Sequence, residues 1–160
     1  VAEVASLNAP GGLSPIEGWA EHRHRIAERM DQLDPRVAAR MVLGRDVLAA
    51  DYLQLLRQRQ SWRQRVEHVL TGFDAVMCPT VPVVAPAIEP LVKHDEAFFA
   101  ANRLLLRNTF VFNFLDGCSI SVPCHVAGEL PVGLMLSAPG GRDADLLGLA
   151  LGVEAALAHG

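Results

Sequence analysis

The sequence predicts an α/β protein, and two observations lead to that class. Long segments with apolar residues at helical spacing alternate with short, continuously apolar runs of strand length. Apolar residues make up 51% of the 160 residues, and the mean hydropathy is +0.23. This high value predicts either a large core or a face that packs against something else. We expect helices around a few buried strands, in a chain of ordinary domain size.

The N-terminal segment 1–12 is predicted to be a loop, because it has no periodicity and ends in Pro-Gly-Gly. The next four residues, Ser14-Pro15-Ile16-Glu17, have the order of a capping box. In such a box the serine is the N-cap and the proline takes the first helical position. A helix is therefore expected to begin at Pro15, with Ser14 as its N-cap.

Two more helices are predicted in the region 14–72, which we interpret as helical throughout. Asp34-Pro35 repeats the start signal for a short helix that stops near Gly44. A long helix from about Leu48 to Leu70 follows, closed by Gly72. Its several arginines are interpreted as a solvated helix face in preference to a binding patch.

The region 73–160 is predicted to contain strands, a proline-rich loop and helices. Four prolines between positions 79 and 90 exclude a helix or central strand there and predict an extended loop. Three strands are too few for so many helices, so they are expected to pair with strands from elsewhere. The expected elements are strands at Ala75–Cys78, Ser119–Val122 and Val132–Ser137, a helix from about Asp95 to Val111, and a C-terminal helix capped by Asp143.

Composition excludes several functional classes. The net charge is −4 and no basic stripe interleaves with aromatic residues, so nucleic-acid binding has no support. No apolar run is long enough to span a bilayer, so no membrane association is expected. Three irregularly spaced cysteines favour reduced thiols, which predicts a cytoplasmic location.

No catalytic, metal or cofactor site is predicted from the residue patterns alone. Ser119 and Ser121 lie on one strand face without a nucleophile elbow, and a packed, hydrogen-bonded hydroxyl is the preferred interpretation. The histidines are scattered without metal-ligand spacing. The paired glycines lack the spacing and the lysine of a phosphate loop, and the only lysine of the chain is Lys93.

Three blocks of the sequence form a specific pattern when they are taken in order. They are Phe73-Asp74-Ala75-Val76-Met77-Cys78-Pro79-Thr80, Asn113-Phe114-Leu115-Asp116-Gly117-Cys118-Ser119-Ile120-Ser121-Val122-Pro123 and Gly128-Glu129-Leu130-Pro131-Val132-Gly133-Leu134-Met135-Leu136. The blocks are similar to a D-x-x-x-x-P-T-x-P segment, an N-x-x-G-x-P-A-x-S-x-P strand and a G-x-L-P-V-G-L-Q hairpin, and together they resemble the tail of the amidase-signature family. Asp116 and Cys118 depart from the pattern, standing where many members have glycine and proline.

The resemblance implies the C-terminal part of the amidase-signature fold, a mixed β-sheet flanked by helices. The family cleaves amide bonds with a Ser–cis-Ser–Lys triad on a Gly/Ser-rich stretch of its N-terminal half. This sequence contains no such stretch, so we expect no catalytic residue in it. The resemblance makes Cys78, Thr80 and Val81 candidate wall residues of the substrate pocket, and Asn113 matches the family asparagine. The alternative is that these four are ordinary core and turn residues.

Two functional hypotheses follow. In the first, residues 1–160 are the C-terminal portion of an amidase, inactive alone, whose partners are the missing N-terminal catalytic half and a small-molecule amide. In the second, the chain is a non-catalytic interaction module that pairs with another chain. The amidase subunit of a tRNA-dependent amidotransferase is a further possibility within the family, disfavoured by Asp116. A homo-oligomer is compatible with each, and no cofactor is expected.

Overall fold

The computed structural model describes residues 2–8 and 12–158, which divide into two compact units. We call Ala2–Gln64 the helical unit and Arg65–Gly160 the sheet unit. In the order of the chain, the described elements are α1 (Ala2–Leu7), α2 (Leu13–Arg29), a 3₁₀ turn (Met30–Gln32), α3 (Pro35–Val42), α4 (Ala49–Val69), β1 (Val76–Pro79), α5 (Ile88–Lys93), α6 (Asp95–Leu106), α7 (Thr109–Leu115), β2 (Cys118–Pro123), β3 (Gly133–Ala138) and α8 (Asp143–Ala158).

The helical unit corrects two predictions about its start. Residues 2–7, expected to lie in a loop, form α1, in which Val4 is buried. So short a helix depends on packing of an apolar side chain, which periodicity over six residues does not reveal. Residues 9–11 of the predicted loop lie outside the described residues.

The capping box at Ser14 was also a wrong prediction. Helix α2 begins at Leu13, two residues before the predicted Pro15, and its N-cap is Gly12 with a φ of 64°. The Leu13 amide donates to Asn8 Oδ1 at 3.1 Å, so a side chain from the preceding turn satisfies the first helical amide. At α3 the predicted start is confirmed, because the Asp34 carboxylate accepts from the amides of Arg36 and Val37 and Pro35 opens the helix.

In the sheet unit the strands lie close to the predicted positions, but one predicted helix is divided. The expected helix from Asp95 to Val111 is two helices, α6 and α7, which are separated at Arg107 and Asn108. The proline-rich stretch is irregular from 80 to 87, as predicted, but α5 begins within it at Ile88. Pro90 is tolerated there because the first amides of a helix have no intrahelical acceptor.

The three described strands form an antiparallel sheet in the order β1-β3-β2. Helix α8 packs on one face, where a buried apolar cluster joins it to β2 and β3. On the opposite face, the alternation of side chains places Ser119 and Ser121 of β2 beside Ser137 and Met135 of β3. The α/β class is confirmed. The cluster under α8 consists of Val122, Leu136, Ala138, Leu146 and Ala150.

Helix α7 is followed by Asp116, whose φ of 64° and ψ of 37° are left-handed. A left-handed residue after a helix is usually glycine, because an L side chain crowds the following carbonyl there. This conformation explains why glycine suits the corresponding position of the family pattern. Aspartate is among the non-glycine residues that tolerate the conformation best.

Replacing Asp116 with valine should therefore lower the free energy of unfolding by about 1–2 kcal/mol, because a β-branched residue adopts this conformation poorly. Asp116→Gly should cost less than Asp116→Val. Hydrogen exchange of β3 amides in the 160-residue chain measures both variants. Equal losses in the two would show that the effect comes from contacts of the carboxylate and that backbone strain has no part in it.

Candidate functional site

The candidate wall residues lie where the chain leaves the sheet after β1. Cys78 is half-buried in β1, opposite Met135 of β3. Thr80 follows the strand and extends the ladder by one bond, since its amide donates to the Gly133 carbonyl at 2.8 Å. Val81 comes next, half-buried at the start of the irregular stretch. Three of the four predicted site residues, Cys78, Thr80 and Val81, therefore lie within four consecutive positions at one edge of the sheet.

The side chain of Thr80 is bonded to a second strand. Thr80 Oγ1 and Ser121 Oγ are 2.5 Å apart, and either hydroxyl can donate. Ser121 belongs to β2, and the central strand β3 lies between it and β1. At this point β3 has Gly133, where an added Cβ would collide with both hydroxyl oxygens. The hydrogen bond between Thr80 and Ser121 therefore requires glycine at position 133, the start of β3.

An asparagine that was not predicted from the sequence is hydrogen-bonded to the end of the same strand, β1. Asn108, between α6 and α7, donates from Nδ2 to the Pro79 carbonyl at 2.7 Å. Asn113, the predicted residue, has an exposed side chain in α7, and its backbone carbonyl accepts from the Asp116 amide. The structure therefore associates Asn108, and not the side chain of Asn113, with the end of β1. An asparagine at a helix break was the sequence signal that could have found it.

The partial burial of Cys78 changes the acidity of its thiol. It raises the pKa of the Cys78 thiol above its ordinary value, because the charged thiolate is poorly solvated there. A thiol with a raised pKa is protonated at neutral pH and is a weak nucleophile.

We expect the alkylation of Cys78 by iodoacetamide to be slow at neutral pH and to accelerate as the pH rises, with a midpoint above that of an ordinary cysteine thiol. The measurement is the rate of modification at Cys78 by peptide mass spectrometry, from pH 7 to 10. Cys124, whose side chain is exposed, provides an internal comparison in the same sample. A midpoint at or below the ordinary value would contradict the effect of burial.

Hydroxyl groups on the sheet have structural partners. Ser119 Oγ and Ser137 Oγ are 2.8 Å apart, which confirms the interpretation of Ser119 as a hydrogen-bonded strand residue. Lys93 forms an exposed ion pair with Glu89 on α5, one helical turn away. Within residues 2–8 and 12–158, no group of three or more histidine, cysteine, aspartate or glutamate side chains could hold a metal ion. Ser119, Ser137 and Lys93 therefore each have a side-chain partner within the described residues.

Comparison with known proteins assigns the chain to a family. The family described as Amidase matches residues 20–147, which is most of the chain. The chain belongs to the amidase family. The resemblance drawn from the three sequence blocks is thereby confirmed.

Curated relatives of this amidase chain differ in what they act on. It is 30% identical over 159 residues to 2-amino-5-chloromuconic acid deaminase of Comamonas testosteroni, covering 99% of the chain and 34% of the relative. It is 28% identical to a fatty acid amide hydrolase of Arabidopsis thaliana, covering 96% of the chain and 24% of the relative. Against a glutamyl-tRNA(Gln) amidotransferase subunit of Streptomyces coelicolor the identity is 30%, over 76% of the chain and 25% of the relative.

Solved structures share the fold. A crystal structure of an amidase superposes with a TM-score of 0.76 at 24% identity, covering 95% of this chain and 35% of the other. The urea amidolyase of Kluyveromyces lactis gives a TM-score of 0.76 at 26% identity, covering 92% of this chain and 9% of the other. The amidase chain thus spans about a third or less of the proteins it matches. Among its described helices, none is long and apolar enough to cross a membrane.

Proposed function

We propose that this chain is the C-terminal part of an amidase that hydrolyses carbon–nitrogen bonds of linear amides, with the Ser–cis-Ser–Lys triad in the rest of the protein. One observation carries the proposal: the family match extends over residues 20–147, while the chain covers only 34% of the deaminase relative. The ion pair of Lys93 agrees with it, because a serine activated by this triad needs a lysine as its base, whereas the Lys93 ammonium is bonded to the Glu89 carboxylate.

The proposed contribution of the chain to the intact enzyme is a wall of the substrate pocket. Cys78, Thr80 and Val81 supply apolar surface and one hydroxyl at the sheet edge, a combination that fits a small amide. Asn113 is assigned a structural role. The proposed partners are the catalytic half and the amide substrate, with no nucleic acid and no membrane, and the proposed location is the cytoplasm.

The test compares the 160-residue chain with the intact protein on a panel of simple amides, including anilides that release a chromophore. The chain alone should hydrolyse them no faster than buffer does, whereas the intact protein should turn them over. Replacement of the triad serine in the intact protein should abolish the activity. Serine-dependent turnover by the isolated chain would overturn the proposal, and so would an intact protein without amidase activity.

An interaction module remains a second candidate, and one surface favours it. An apolar groove of about 340 Å³ runs between β2 and α8, and the backbone of β2 is unpaired on that side within the described sheet. Such an edge can pair with a further strand. If this candidate is right, the chain should form a defined complex with a non-catalytic protein, and the intact gene product should lack amidase activity. The groove is lined by Ile120, Ser121, Val122, Pro123, Leu147, Ala150, Leu151 and Glu154.

A further inference from the structure

Three distant segments of the sheet unit meet at one point. Thr80 follows β1, Ser121 lies within β2, and Gly133 opens β3. Each comes from a different one of the three sequence blocks described above. We name the hydroxyl pair of Thr80 and Ser121, 2.5 Å apart above Gly133, the Thr80–Ser121 bridge.

The bridge connects strands that are not neighbours. Strands β1 and β2 flank β3, so their backbones are two strand spacings apart, about 10 Å. Short hydroxyl side chains can meet over that distance only when the residue between them leaves the space free. Gly133 does so, because a Cβ at this position would press against both oxygens. The bridge is therefore specified by all three residues together.

The Thr80–Ser121 bridge lies at the point where the backbone hydrogen bonds of β1 end. The Thr80 amide makes the last bond of the β1 ladder, to the Gly133 carbonyl, and residues 80–87 then run without helix or strand. Asn108 fixes the carbonyl of Pro79, one residue earlier. The side chain of Thr80 is thus the last hydrogen-bonded group before Val81, and its partner is Ser121 of β2.

We propose that the Thr80–Ser121 bridge is a positioning device for the substrate-pocket wall, in which Ser121 acts through Thr80 to hold Thr80 and Val81 in place. This inference rests on the proposed function, in which these two residues line the pocket. Ser121 does not contact the substrate in this scheme. Ser121 affects the reaction only by holding the pocket wall in place, so replacing it should change substrate binding more than the chemical step.

The first arm of the test needs no enzymatic activity. In the 160-residue chain, Ser121→Ala should accelerate hydrogen exchange of the Thr80 amide, which donates to the Gly133 carbonyl, by about fivefold to tenfold, because the neighbouring side-chain hydrogen bond is lost. Ser121→Thr keeps a hydroxyl and should restore slow exchange. The matched control is Ser119→Ala, which breaks a serine pair on the same face of the same strand but touches no part of the loop. Equal acceleration in Ser121→Ala and Ser119→Ala, or none in either, would overturn the proposal.

The second arm uses the intact protein. There Ser121→Ala should raise KM about threefold to tenfold and change kcat less than twofold, with rescue by Ser121→Thr and little change in Ser119→Ala. A wild-type KM in Ser121→Ala would overturn the positioning role. If the unmodified intact protein has no amidase activity while the exchange results hold, the proposed function fails and the bridge stands as an anchor of the loop alone.

Discussion

Replacing Gly44 with alanine is expected to lower the free energy of unfolding of the helical unit by about 3 kcal/mol or more, because the added methyl group has no space. Gly44 is buried just beyond α3, and a Cβ there would lie on the carbonyl of Pro15 and the Cα of Ile16. These are backbone atoms of α2, so no rotamer change can relieve the collision. The start of α2 and the end of α3 would have to separate.

Tryptophan fluorescence during urea denaturation measures this effect, since both tryptophans, Trp19 and Trp62, lie in the helical unit. The matched control is Gly18→Ala within α2. Its new methyl group would lie 3.7 Å from Met41 Cγ, an ordinary contact. That variant should gain up to about 1 kcal/mol, because alanine is the better helix former. A Gly44→Ala chain as stable as the unmodified one would show that the two helices do not approach so closely.

Truncating Leu115 to alanine is expected to destabilise the sheet unit by about 2–5 kcal/mol, the range for a fully buried leucine. Leu115 ends α7 and is only 1% exposed. Its side chain adjoins Gly117, where the chain turns into β2. The loss combines the apolar surface returned to water on unfolding with the cavity left in the folded unit.

Hydrogen exchange of β2 and β3 amides measures this loss, because the sheet unit contains no tryptophan. Leu106→Ala is the matched control. It removes the same atoms from a helix end where the side chain is 42% exposed, and it should cost less than about 1 kcal/mol. Similar losses in the two variants would mean that Leu115 is not part of a packed core.

The positions of the strands and of helices α2, α4 and α8 could be predicted from the sequence, whereas some helix ends could not. Apolar runs located β1, β2 and β3 because buried strands need continuous apolar residues. The break at Asn108 was missed, since its cause is a bond to Pro79 on a distant strand. The start of α2 was misplaced because Asn8 Oδ1 accepts from the Leu13 amide, so that the helix begins before Ser14. The first error comes from a contact distant in sequence, and the second comes from a nearby side chain that is not part of the usual capping pattern.

The candidate site was predictable in part. The resemblance to amidases implies that Thr80 is a wall residue, and in the structure its hydroxyl is hydrogen-bonded to Ser121. Ser121 was interpreted only as a packed hydroxyl, because a sequence does not state which residue of β3 lies between two strands. The register of the strands places Gly133 between β1 and β2, and this register depends on the pairing of the whole sheet.

The strand order also has a consequence for the kinetics of folding. Strands β2 and β3 are a hairpin joined by a short connection, whereas Val76 pairs with Ser137 across most of the sheet unit. Closing the longer loop costs more entropy, so the hairpin should form first and β1 should join a template already present. Substitutions in β1 should then mainly speed unfolding, which stopped-flow measurements can separate from slower folding. The stretch that carries Thr80 and Val81 is thus ordered last in folding and released first in unfolding.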